Sequence, residues 1–234
     1  MNGFLIQCKS RKTELLQYLG IMAGAFVVGF IILLIVMGQT EENESAATAG
    51  TMMAVVLIVF IHFFATIISF VGQFNLAVSM GATRKNFVAN YALFNMSEIL
   101  LLEIGLVILG NLEKFIASRL FPNVVMEIDM TKFFDWKYLL AAIVVLTVSE
   151  IFLGAVILRF GMKFFWVLWA IWMLAALLPL NISKNEKLSG ELAKIGFMIG
   201  GKITPAGIVT AVSLVCLILI AITWKILKRQ RVTA

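Results

Sequence analysis

Six long apolar runs, separated by short polar segments, give the chain an alternating pattern from end to end. Each run is close to the ~20 residues that a helix needs to cross a bilayer with its backbone hydrogen bonds made internally. The runs cover residues 18–37, 52–74, 91–112, 138–158, 164–180 and 203–224. The pattern predicts an all-α polytopic membrane protein with six transmembrane helices.

The composition supports this class. Hydrophobic residues make up 62% of the 234 positions and charged residues 14%, and the mean hydropathy is +1.02. A soluble domain carries about 45–50% apolar and about 25% charged residues, so a soluble or disordered chain is excluded. Cys8 and Cys216 lie at opposite ends of the sequence, which gives no basis for a disulfide framework or a metal site.

The distribution of charge predicts the orientation. An even number of spans places both termini on one side, where 11 basic residues stand against the single acid Glu14. The other side has 8 basic residues and nine acids, and its loop over residues 39–50 has no Lys or Arg. The positive-inside rule therefore predicts cytoplasmic termini in a multi-pass protein of the cell membrane. The net charge of +6 does not indicate nucleic-acid binding, because no soluble basic face is present.

The regions outside the spans are short. Residues 1–17 mix Phe4 and Leu5 with Lys9 and Arg11, a pattern typical of an amphipathic helix at the cytoplasmic lipid surface or of an ordinary charged N-terminus. We therefore divide the chain into an interfacial helix over 1–17, a six-span domain over 18–224 and a basic cytoplasmic tail over 225–234. Residues 113–137 and 181–202 are predicted external segments.

The loop from Ser79 to Phe87 combines several turn signals. Gly81 permits a sharp turn, Thr83 can cap a new helix, and Arg84 and Lys85 supply two cations. Phe87 adds an apolar side chain that a partner could bind. The alternative is a loop that serves only to orient the chain.

This loop, the basic N-terminal helix and the six-span layout resemble the permease subunits of type-2 ABC exporters. In that family the turn after the second span docks on the ATPase, and an N-terminal elbow helix lies at the membrane surface. The resemblance implies an elbow helix over Asn2 to Gln17, a partner ATPase, and a second permease subunit that completes a homodimer or heterodimer. It also implies a coupling loop formed by Gly81, Ala82, Thr83, Arg84, Lys85 and Phe87.

The chain itself has no complete nucleotide site. The segment from Gly196 to Lys202 matches a phosphate-binding loop, but Ile203 replaces the Ser or Thr that holds Mg²⁺. Nor does any arrangement of residues suggest catalysis or metal binding. We expect a non-enzymatic transport subunit without a cofactor of its own, with ATP and Mg²⁺ bound by the partner.

Three carboxylates fall inside predicted spans, where charged groups are costly and point to function. Glu98 and Glu103 lie in the third span and Glu150 in the fourth, with Glu98 on the same helical face as Asn95. Glu103 is rotated by roughly 140° from Glu98 and should point elsewhere. A proton or cation relay and structural pairing with Lys or Arg are both open.

The second span carries a polar stripe at helical spacing, formed by His62, Thr66, Ser69 and Gln73. Such a stripe is typical of hydrogen bonding between helices or of a dimer contact, and less often of a substrate path. Gly20 and Gly24 form a small-residue pair that would allow the first span to approach a neighbour closely.

These features predict a permease subunit that forms the translocation path of an ATP-driven exporter as a dimer embedded in membrane lipid. The alternative is a six-span substrate-capture subunit or a small secondary transporter, with Glu98 and Glu150 as its ion-coupling groups.

Overall fold

The computed structural model describes residues 11–39, 45–122, 125–182 and 205–229. Within these residues, two short strands and one short 3-10 helix accompany six α-helices. In chain order the elements are α1 (Lys12–Gln39), β1 (Ser45–Ala47), α2 (Ala49–Ser79), α3 (Arg84–Leu120), β2 (Val125–Ile128), the 3-10 helix (Met130–Phe133), α4 (Trp136–Phe160), α5 (Met162–Ile182) and α6 (Pro205–Arg229).

The helices follow the apolar runs, and each of the six runs overlaps one helix. Five of the helices, α1, α2, α3, α4 and α6, are long and apolar enough to cross a membrane. The protein is therefore a polytopic helical membrane protein, as predicted. The fifth run coincides with α5. The part of α5 whose side chains are described gives a shorter apolar helix, Met162–Leu174.

The start of α1 bears on the predicted elbow helix. Lys12 to Gln17 form the first turns of α1 and continue without a break into the first apolar run. Residues 1–10 lie outside the described residues. A separate interfacial helix over 1–17 therefore stays a prediction.

The chain divides into two compact units, residues 1–150 and residues 151–233. In the first unit, α1 packs along α2, and α2 packs along α3. A core of Tyr18, Met22, Phe26, Ile58 and Leu102 joins these three helices. The second unit contains the end of α4 together with α5 and α6.

The close approach of α1 to α2 occurs at Gly29. A Cβ atom built there would lie 2.5 Å from the carbonyl oxygen of Ala49 and 2.8 Å from Cα of Gly50, so only glycine fits. Gly20 and Gly24 have nothing within 4 Å of such a Cβ. Within the described residues, α1 therefore makes its close approach at Gly29, and the role of the Gly20–Gly24 pair stays a prediction.

A small parallel sheet, which the apolar pattern does not predict, connects the ends of these helices. β1 pairs with β2 in the register Ser45 to Val125 and Ala46 to Met126, with an irregularity before Ala47. The Thr48 hydroxyl accepts a hydrogen bond from the Met130 amide. The segment before α2 is thereby fixed to the segment before α4.

Candidate functional site

A cluster of buried polar side chains joins α1, α2, α3 and α4 inside the first unit. We call it the arginine cluster. Its members lie within hydrogen-bonding or ion-pairing distance of one another, and all are buried in an otherwise apolar bundle. They are Arg11, His62, Asn95, Glu98 and Glu150.

Arg11 sits immediately before α1 and is 0% exposed. Its Nη2 donates to Glu98 Oε2 at 2.9 Å, and its Nε donates to Glu14 Oε2 at 2.6 Å. The guanidinium also lies over two aromatic rings, 5.3 Å from the Tyr91 centroid and 4.8 Å from the Phe94 centroid. These contacts compensate for the cost of removing the guanidinium from water.

His62 stands between the two cluster carboxylates. Its Nδ1 lies 3.1 Å from Glu150 Oε1, and its Nε2 lies 3.5 Å from Glu98 Oε2. Asn95 Nδ2 donates to Glu150 Oε2 at 2.5 Å. Because the sequence spacing places Asn95 and Glu98 on one face of α3, both side chains reach this cluster.

The charges of the cluster do not balance without an additional proton. Arg11 neutralises one of the two buried carboxylates, so neutrality requires a proton on His62 or on a glutamate. Four cluster atoms are buried without a hydrogen-bond partner among the described residues, namely Arg11 Nη1, His62 Nε2, Asn95 Oδ1 and Glu98 Oε1. The cluster can therefore exchange hydrogen-bond partners around one shared proton.

Another buried carboxylate, Glu113 of α3, makes a different kind of site, which we call the carboxylate cap. Its Oε1 accepts from the Gly50 amide at 2.7 Å, and its Oε2 accepts from the Thr51 amide at 2.7 Å and the Thr51 hydroxyl at 2.5 Å. The N-cap residue Thr48 makes no side-chain capping bond. Glu113 therefore satisfies the N-terminal amides of α2 and complements the helix dipole.

The segment before α4 is held by Asp129, which lies close to the same end of α3. Asp129 Oδ2 accepts from Lys114 Nζ at 2.8 Å, and Oδ1 accepts from the Thr131 amide at 2.9 Å. Burial opposes ionisation of this carboxyl, but the hydrogen bonds from Lys114 and Thr131 hold its pKa below the usual value.

The turn between α2 and α3 has the backbone that its residues predict. Gly81 has a φ of +86°, which an L side chain rarely adopts. The Thr83 hydroxyl accepts from the Asn86 amide at 3.3 Å and caps α3. Ala82 and Lys85 are exposed, and Arg84 is half-buried.

Phe87 does not project from this turn, which corrects the expectation that it offers an apolar side chain to a partner. It is buried and packs against Phe70 and Phe74 of α2 and against Tyr91, with ring centroids 5.5–5.6 Å apart. A phenylalanine on the inner face of a helical hairpin gains more from this packing than from exposure. The exposed apolar side chain at the turn is Met80, 72% accessible.

The other predicted polar residues fall in three places. Thr66 is buried, and its carbonyl oxygen accepts from the Tyr91 hydroxyl at 2.9 Å. Gln73 donates to Ser69 at 2.9 Å on a half-buried face of α2. Glu103 lines a cavity whose wall also includes His62 of the arginine cluster.

Sequence reasoning missed the roles of Arg11 and Glu113. The charge pattern predicts Arg11 at the cytoplasmic lipid surface, although an arginine at the start of a span is a natural partner for an acid within a span. The signal for Glu113 was the start of α2, which lacks an acidic residue in its first turn and so needs an acceptor from elsewhere.

The described fold and site define a helical membrane protein with a buried cluster of ionisable side chains. Among the described residues, no group of three His, Cys, Asp or Glu side chains could hold a metal ion. Comparison with protein-family models, curated proteins and solved structures gives no match.

Proposed function

We propose that this chain is the membrane-spanning permease subunit of a type-2 ABC exporter. It crosses the cell membrane six times with both termini in the cytoplasm, and two such subunits form the translocation path. A separate ATPase subunit binds ATP and Mg²⁺ and docks on the turn between α2 and α3.

The observation that carries this proposal is the geometry of that turn. With 37 residues, α3 is about 55 Å long, whereas the hydrocarbon layer is about 30 Å thick. The α2–α3 hairpin can therefore hold its turn clear of the lipid. There, exposed Met80 and Lys85 offer an apolar contact and a steering charge to a partner.

A continuous set of packed side chains links the turn to the arginine cluster. Phe87 packs on Tyr91, the Tyr91 ring lies under the Arg11 guanidinium, and Arg11 bonds to Glu98. Movement of the turn by an ATPase would therefore act on the buried ions. Coupling of this kind needs an element that has two arrangements. His62 supplies such an element, because it lies between two carboxylates.

The test is isolation of the tagged chain from its native membranes, with quantification of a co-purifying Mg²⁺-dependent ATPase. Met80→Ser combined with Lys85→Glu should reduce the bound ATPase at least about tenfold, because it removes the apolar contact and reverses the charge. Lys163→Glu is the matched control, since Lys163 is exposed at the other predicted cytoplasmic turn. Equal ATPase recovery with both variants would contradict docking at the α2–α3 turn.

The arginine cluster favours a second candidate, an ion-coupled secondary transporter. Its two carboxylates share one arginine and one histidine, which is the kind of group that a proton relay needs. Uptake or export driven by a proton gradient in liposomes without ATP would support this candidate and contradict the first.

A further inference from the structure

A cavity of about 220 Å³ lies between α2, α3 and α4, with Met130 and Phe134 of the preceding segment on its wall. Its lining is aliphatic and aromatic except for three residues. These are His62, Glu103 and Tyr138. A second recess of about 250 Å³ lies between α3 and α4.

Glu103 lines both recesses. The residue is 8% exposed, and its Oε2 atom is buried without a hydrogen-bond partner among the described residues. By contrast, Glu113 uses both of its oxygens as acceptors. Glu103 is thus a buried carboxylate on the wall of both recesses, with one oxygen that lacks a hydrogen-bond partner among the described residues.

No lysine or arginine is among the residues that line either recess, and His62 on the cavity wall lies 3.1 Å from Glu150 and 3.5 Å from Glu98. A carboxylate inside a span is costly without compensation. A ligand that brings a positive charge with N–H donors would satisfy Glu103 and remove this cost.

Aromatic residues line the same two recesses as Glu103. Phe134 and Tyr138 line the first cavity, and Trp136 lines the second recess. Gly110 allows Phe134 to lie against α3, since a Cβ built there would be 2.9 Å from Phe134 Cε2. A carboxylate among aromatic faces is the arrangement that recognises organic ammonium groups.

We propose that this cavity binds a lipophilic ammonium compound, with the ammonium group at Glu103 and the apolar body between α2, α3 and α4. The cavity is smaller than the ~300–1,000 Å³ of drug-sized sites, so the ligand carries a single chain or ring. Val59, an exposed residue of α2, lies on its rim and leaves it accessible from the lipid. The inference does not depend on the chain having an ATPase partner.

The test uses two photoactivatable alkyl diazirines of equal length, one ending in a primary ammonium group and the other in a hydroxyl. The full chain is irradiated with each probe in phosphatidylcholine nanodiscs, and labelled residues are located by mass spectrometry. The ammonium probe should label the cavity wall from Tyr138 to Leu146 about tenfold more than the hydroxyl probe, since a charged hydrogen bond contributes about 1.5–3 kcal/mol. Glu103→Gln should remove that difference, and Glu103→Asp should retain part of it.

A matched pair of variants distinguishes the effect of filling the cavity from a general loss of folding. Ala142 lines the cavity, whereas the adjacent Ala141 is exposed. Ala142→Phe should abolish labelling by the ammonium probe and Ala141→Phe should not, with size-exclusion profiles showing that both variants are folded. Equal labelling by the two probes in the wild type would overturn the proposal and identify the cavity as a site for acyl chains. Unchanged ammonium labelling of Glu103→Gln would overturn it as well.

Discussion

The carboxylate cap and the arginine cluster both bury glutamates from α3, but they treat the charge in opposite ways. Glu113 accepts three hydrogen bonds from Gly50 and Thr51 with both oxygens in use. Glu98 shares Arg11 with Glu14 and stands near a histidine that also binds Glu150, while its Oε1 has no partner among the described residues. A saturated site fixes one geometry, whereas an unsaturated one can rearrange. The carboxylate cap therefore has a structural role at one end of the bundle, whereas the arginine cluster is the candidate for a part that moves.

The largest expected effect comes from breaking the Arg11–Glu98 pair. Arg11→Met or Glu98→Gln alone leaves a buried charge without its partner and should lower the free energy of unfolding by about 3–5 kcal/mol. The double variant removes both charges and should recover most of that loss. SDS-induced unfolding in mixed micelles measures each value. Additive losses would show that the two groups are not coupled.

Removal of the carboxylate cap should have a somewhat smaller effect on stability. Glu113→Gln replaces one acceptor with a donor that faces the α2 amides, at a cost of about 2–3 kcal/mol. Its control is Asp135→Asn, because Asp135 is exposed and asparagine can still cap α4. The same unfolding measurement applies. If Glu113→Gln were as stable as the control, the cap would not hold the start of α2.

The contact of α1 with the cap region can be tested with two glycines. Gly29→Ala should cost about 1–3 kcal/mol, since its Cβ meets the backbone of α2. Gly24→Ala has open space around it and should be neutral or stabilise the helix by up to about 1 kcal/mol. Similar unfolding curves for the two variants would contradict the close approach at Gly29.

The smallest effect is a pH dependence at Asp129, whose native pKa lies below the ordinary 3.8. A lowered native pKa contributes stability above the ordinary value, and that contribution is lost as the pH falls through the native pKa. Because Lys114 is half-exposed, the loss should stay below about 1 kcal/mol. Stability measured from about pH 6 to about pH 3 should fall more in the wild type than in Asp129→Asn. Parallel pH profiles would contradict the role of this ion pair.

The helices could be predicted because the length of an apolar run in a bilayer is a local property of the sequence. The turn at Gly81 and Thr83 was equally local, since both signals act within a few residues. The polar face of α3 at Asn95 and Glu98 also follows from helical spacing alone.

The long-range contacts could not be predicted in the same way. Arg11 and Glu98 are 87 positions apart, and Glu113 caps residues more than 60 positions away. The burial of Phe87 depends on how α2 packs against α3, which its own neighbours in sequence do not determine. The β1–β2 pair joins segments too short to give a clear strand pattern.

Docking of an ATPase at the α2–α3 turn is the central claim, and site-specific photocrosslinking tests it most directly. A benzophenone amino acid replaces Met80 in one strain and Met162 in another. Met162 is the control position, because it is also exposed and also lies next to a glycine with a positive φ, Gly161. After irradiation of intact cells, position 80 should yield a covalent adduct with a nucleotide-binding ATPase subunit, and much more of it than position 162. If a correctly inserted chain gave no covalent adduct with an ATPase at position 80, docking at the α2–α3 turn would be contradicted.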